Sequence, residues 1–151
     1  MLWRYSQRLF HSYGQLWLVR GDHDKALAYA DECLALAEQS DSRKNIVKGC
    51  RLRGQIFLAQ GKLPEAEKEL ATALEVAQRV GNPPQLWKTQ AALGDLRKAQ
   101  GSPEDARQAY RDALAVIEGV AARLSDESLR DTFLNSDHVQ GIRLAAEIRP
   151  E

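Results

Sequence analysis

The stretch GQIFLAQGKLPEAEKEL, residues Gly54–Leu70, decides the fold. Forty residues earlier the chain reads GQLWLVRGDHDKALAYA from Gly14, and forty residues later GDLRKAQGSPEDARQAY from Gly94. The three copies share a first glycine (Gly14, Gly54, Gly94), a second (Gly21, Gly61, Gly101) and an alanine (Ala26, Ala66, Ala106) in one phase. A fixed period of a few tens of residues is the signature of stacked copies of one supersecondary unit.

Each copy reads as two helices. Phe10, Tyr13, Gly14 and Trp17 keep helical spacing up to Gly21, and a glycine just past a helix tolerates the left-handed conformation that closes it. Asp22 is an N-cap type for the second helix, whose apolar set is Ala26, Leu27, Ala30, Cys33, Leu34 and Ala37, spaced three and four apart. The second copy runs from Ile46, Cys50, Phe57 and Leu58 to the stripe Leu63, Ala66, Leu70, Ala73, Leu74 and Ala77, with Pro64 in the first helical turn. It closes at Gly81-Asn82-Pro83-Pro84, which reads as a turn. In the third, Ser102-Pro103-Glu104-Asp105 opens a second helix with a capping hydroxyl, a first-turn proline and two acids at the positive helix end. That helix runs on through Val120 to Leu124 and is expected to be longer than its equivalents.

From Ser125 the chain leaves the repeat. Leu129, Phe133 and Leu134 form one short amphipathic set, and Val139, Ile142, Leu144, Ala145 and Ile148 form another after Ser136. A stack of helix pairs exposes an apolar face at its last unit, and an atypical end segment covers it. The expectation is all-α with eight helices: repeats at about 4–43, 44–83 and 84–124, then a capping segment over 125–151.

The copies are similar to the tetratricopeptide repeat, whose pattern is Trp-x2-Leu-Gly-x2-Tyr, then Ala-x3-Phe, then Pro. The first part appears as Phe10-x2-Tyr13-Gly14-x2-Trp17, Cys50-x2-Arg53-Gly54-x2-Phe57 and Gln90-x2-Leu93-Gly94-x2-Arg97. The second appears as Ala26-x3-Ala30, Ala66-x3-Leu70 and Ala106-x3-Tyr110. The period departs from 34, and Glu38, Gln78 and Glu118 stand where the last proline is expected. The chain thus resembles the long-unit variety found in kinesin light chains and bacterial regulators. Arg53, Gln90 and Arg97 fall in usually apolar slots, where the stem packs and the head reaches water, or the packing is looser.

The resemblance implies a right-handed superhelix with the first helix of each pair on its concave face, and a non-catalytic scaffold that binds a partner segment there. Stepping by three and four along those helices gives Arg8, His11, Gln15 and Leu18, then Lys48, Arg51, Gln55 and Leu58, then Lys88, Ala91, Asp95 and Lys98. Arg8, Lys48 and Lys88 form a basic row, joined by Arg51 and His11, which suits a partner bearing acidic groups through charge-assisted hydrogen bonds. The plainer reading is a solvated helix face. A terminal-carboxylate clamp is not expected, because Leu52 and Ala92 replace useful cations and no Asn stands on the face.

Two alternatives stay open: a ligand-sensing or regulatory module of a larger bacterial signalling protein, and a single-stranded RNA binder of the helical-repeat kind. Equal numbers of basic and acidic residues, 21 each, and Asp95 on the same face count against the second. Trp3 and Tyr5, if exposed, mark where a neighbouring repeat or a second copy packs. Most other aromatic residues sit on apolar stripes and read as core. Cys33 and Cys50 read as buried, reduced thiols, which fits the cytoplasm. No apolar run is long enough to span a membrane. His11, His23 and His138 make no metal-ligand spacing, no glycine-rich phosphate loop or nucleophile elbow occurs, and neither catalysis nor a cofactor is expected. Glu65, Glu67 and Glu69, alternating with lysines, read as a solvated face.

Overall fold

The computed structural model describes the backbone of residues 2–147 and, within these, the side chains of all but residues 2–5 and 7. The expectations placed on Trp3, Tyr5 and Ile148 lie outside the described residues. The described chain is helical throughout, without strand: α1 (Leu2–Val19), α2 (His23–Gln39), α3 (Arg43–Ala59), α4 (Leu63–Val80), α5 (Pro83–Ala99), α6 (Pro103–Arg123), α7 (Glu127–Leu134) and α8 (Asp137–Glu147). Two compact units divide it, Met1–Asn82 and Pro83–Glu151.

In the first unit α1 packs on α2, α2 on α3 and α3 on α4, while α1 also lies beside α3. Asp22 caps α2, its side chain accepting from the Lys25 backbone N–H at 3.2 Å. Gly61 turns the chain into α4 at φ +74°, and Gly81 closes α4 in the left-handed region at φ +67°. Ala26, Ala30, Leu52 and Ile56 form a core with Trp17, Leu18 and Leu27 packed against it. Small residues let the helix axes approach, and the larger ones fill what remains.

In the second unit α5 packs on α6, and α6 on α8. Pro83 and Pro84 form the first turn of α5 rather than a free turn. Proline suits that position because its missing N–H is one of the donors a helix start leaves unpaired. Ser102 stands at the N-cap of α6, but its hydroxyl makes no capping bond there. At 21 residues α6 is the longest helix, against 17 or 18 for α2 and α4. Its last turn, beyond the length of α4, brings the Ala121 carbonyl to Arg130 of the tail, and Val139, Ile142 and Ala146 of α8 join Trp87, Ala91, Tyr110, Ala113 and Ile117 in one core. Asp126 caps α7 through bonds from the backbone N–H groups of Ser128 and Leu129. Arg130 donates to the carbonyls of Ala121 and Leu124, fastening α7 to the end of α6.

The repeated glycines explain the close helix pairs. A Cβ at Gly54 would lie 2.6 Å from Cγ of the fully buried Leu70 on α4, and one at Gly94 would lie 2.6–2.8 Å from the Tyr110 ring on α6. Gly14 differs. Its nearest neighbour is a Leu52 terminal methyl on α3 at 2.6 Å, while its partner helix α2 comes no nearer than 3.5 Å.

Candidate functional site

In the first unit the face expected to bind begins on α1 with Arg8 and Gln15 exposed and His11 half-buried. On α3, alongside, Lys48 and Gln55 are half-buried. Arg51 is different: only 6% of it is exposed, and burial pushes its guanidinium down to about 10. It remains charged at neutral pH, but as a buried cation and not as a group on an open surface. Every side of α3 contributes buried residues over Val47–Ile56, so spacing alone does not separate an exposed cation from a buried one.

Arg53 of α3, which falls in a usually apolar slot, has specific partners. Arg53 lies 3.5 Å from Asp31 on α2 and 3.3 Å from Glu69 on α4, with Phe57 beneath its guanidinium. One cation thereby ties three helices. Glu69 is not part of a solvated acidic face, because its side chain is 15% exposed and faces Arg53. Cys33 and Cys50 are free and buried, and burial pushes both thiols up to about 11. A thiol held this far from its thiolate is a packing group, not a nucleophile.

The second unit holds a concavity among the predicted site residues. A cavity of about 350 Å³ is lined by Ala91, Asp95 and Lys98 of α5, Tyr110 of α6, and residues of α8 beginning with Asp137 and His138. Asp95 and Lys98, both expected on the binding face, are thus brought together against the tail, while Lys88, half-buried, lies outside this lining with its ammonium 5.5 Å from the Trp87 ring centroid. The Tyr110 hydroxyl donates to Asp95, and burial together with that bond pushes the phenol well above its ordinary range. His138 meets Trp87 edge-on at 4.9 Å between ring centroids. Sequence reading assigned Tyr110 and Trp87 to the core, which they join. It gave Asp137 and His138 no part, because nothing in a short polar segment between two apolar sets shows that it returns to α5.

No group of His, Cys, Asp and Glu among the described residues is arranged to hold a metal ion. No described helix is long and apolar enough to cross a membrane. Residues 50–118 match the family model described as tetratricopeptide repeat, from Cys50 on α3 to the last turns of α6. No curated protein matches the chain.

Proposed function

The chain is built of tetratricopeptide repeats over residues 50–118, and from that premise we propose that it is a non-catalytic protein-binding module whose first unit holds an acidic partner segment along α1 and α3. Repeats of this family generally mediate contacts between proteins. The observation that carries the finer reading is a doubled set of donors: Arg8 and Gln15 on α1 recur forty residues on as Lys48 and Gln55 on α3, and the two helices lie side by side. Two cations and two amides at one repeat spacing offer a linear segment two equivalent stations. Charge-assisted bonds to carboxylates would fix its register, while apolar contacts supply most of the affinity.

Peptide display against the full chain tests this. Selected peptides should be enriched in Asp and Glu and should bind more weakly as salt rises. The double variant Arg8→Glu, Lys48→Glu should bind them at least about tenfold more weakly, with unchanged helicity by circular dichroism. Equal binding by wild type and double variant would sink the proposal. Arg51 is left out of the test because its reversal would bury an anion and unfold the unit for an unrelated reason.

A further inference from the structure

We propose that the cavity between α5, α6 and α8 of the second unit binds a small zwitterion of the amino-acid kind, its ammonium group held by Asp95 and Asp137 and its carboxylate by Lys98. This site is distinct from the α1–α3 face and goes beyond the protein-binding reading.

Four observations support it. The first is size. About 350 Å³ lies at the small end of ligand pockets, which run from roughly 300 to 1,000 Å³. That is room enough for an amino acid. The second is charge arrangement. Asp95 and Lys98 stand three residues apart on α5 and so share a face, and Asp137 with His138 forms the first turn of α8 on the other wall. The two walls together carry two carboxylates and the Lys98 ammonium. A single anion would face both carboxylates and a single cation would leave Lys98 unmatched, whereas a zwitterion matches both signs.

The third is availability. Among the described residues neither Lys98 nor Asp137 has an ion-pair partner, and Asp95 has only the Tyr110 hydroxyl. That hydroxyl occupies one carboxylate oxygen of Asp95 and leaves the other for a ligand. The fourth is room. Gly141 lies inside α8 and lines the cavity, yet a Cβ built there would meet no atom within 4 Å. Glycine weakens a helix interior relative to alanine, and no neighbour demands one at this place. It leaves the cavity lining free of a side chain at this place.

The test uses the full chain labelled with ¹⁵N. Each of the standard amino acids is added singly up to about 10 mM, beyond the millimolar Kd that marks weak binding. The indole N–H of Trp87 reports directly, because its ring touches His138 on the cavity wall. At least one amino acid should give a saturable shift of that signal and of the α8 amides. Lys98→Ala and Asp137→Asn should each weaken binding tenfold or more, and ethylamine or acetate, carrying one charge each, should bind at least tenfold more weakly than the zwitterion. Gly141→Leu should abolish the shift by filling the space. Absence of saturation with every amino acid would overturn the proposal, and so would binding that survives both charge substitutions or is matched by ethylamine or acetate. Lys98 and Asp137 are exposed, so these two variants decide the matter even if Gly141→Leu fails to fold.

Discussion

Alanine at Gly94 should destabilise the protein, although the same change at Gly119 should stabilise it. Both glycines lie inside helices, α5 and α6, where alanine is favoured by about 1 kcal/mol. They differ in what a methyl group would meet. At Gly119 no atom lies within 4 Å, so the propensity gain stands nearly whole, at about 0.5–1 kcal/mol. At Gly94 the methyl would enter the Tyr110 ring at 2.6–2.8 Å, a contact that a rigid aromatic ring does not absorb by rotating. The ring is 7% exposed and tethered through its hydroxyl to Asp95. Overpacking of this kind costs about 2 kcal/mol. Displacing the ring loses a further ~1 kcal/mol from its bond to an exposed carboxylate. Subtracting the propensity gain leaves a destabilisation of about 2 kcal/mol. Urea denaturation followed by circular dichroism should place the Gly94→Ala midpoint about 1 M below wild type for a slope near ~2 kcal/mol/M. The Gly119→Ala midpoint should lie at or above wild type. In a Tyr110→Ala background, Gly94→Ala should lose its penalty, which assigns the clash to that ring. If Gly94→Ala unfolds no earlier than Gly119→Ala, the close-approach account of the repeated glycines is wrong.

Gly81→Ala should cost about 1 kcal/mol in the same assay, because φ +67° at the end of α4 strains any residue with a Cβ. Arg53→Met keeps the apolar stem and removes the charge between Asp31 and Glu69; it should cost about 1–2 kcal/mol, less at high salt, and much of the loss should return when Glu69→Gln removes the stranded acid. The buried thiols set a pH dependence. Their folded-state values of about 11 stand above the ordinary 9.0, so the folded chain keeps protons that the unfolded chain releases first. Their contribution is complete below pH 9 and is lost as pH rises through 11. Denaturation midpoints should fall across that window, less steeply in a Cys33→Ala, Cys50→Ala variant, and a thiol dye at pH 8 should label the native protein far more slowly than the urea-unfolded chain.

The pairing of helices was legible because packing constrains many residues at once. The glycine recurs in each copy while the side chain over it varies, Leu70 over Gly54 and Tyr110 over Gly94, and the constant glycine leaves a mark at a fixed spacing. Helix ends were less legible. Pro83 and Pro84 suit both a turn and the first turn of a helix, and only the backbone beyond them decides. The expected binding face was legible as a row of residue types but not as a surface. Arg51 lies in phase with His11, yet it is buried while His11 is only half-buried. Asp95 and Lys98 were found by the same stepping, but their setting was not, because α8 reaches them through a segment outside the period. Arg53 carries its own signal in the sequence, a charge in a slot the repeat keeps apolar. A cation in an apolar slot needs carboxylates from other helices, and Asp31 of α2 and Glu69 of α4 supply them.

The slot at residues 30, 70 and 110 shows how one packing rule yields different chemistry. The rule requires only that something fit beside the glycine of the first helix. Leu70 and Tyr110 sit there over Gly54 and Gly94, while Ala30, buried at the equivalent position, is too short to reach Gly14, whose space Leu52 fills from α3. Ala30 and Leu70 end in methyl groups and contribute only apolar contact. Tyr110 is long enough to pass the contact and bring a hydroxyl to Asp95, in the lining of the cavity that also carries Lys98 and Asp137. An aromatic ring at that slot therefore does two things, filling the space over Gly94 and fixing the orientation of an acid on the open side of α5. Tyr110→Phe separates them. The ring still packs, so stability should fall by no more than about 1 kcal/mol, while Asp95 loses its only hydrogen-bond donor. If the cavity serves a ligand, Tyr110→Phe should weaken binding without moving the unfolding midpoint in proportion. Equal losses in both would reduce the hydroxyl to a packing detail.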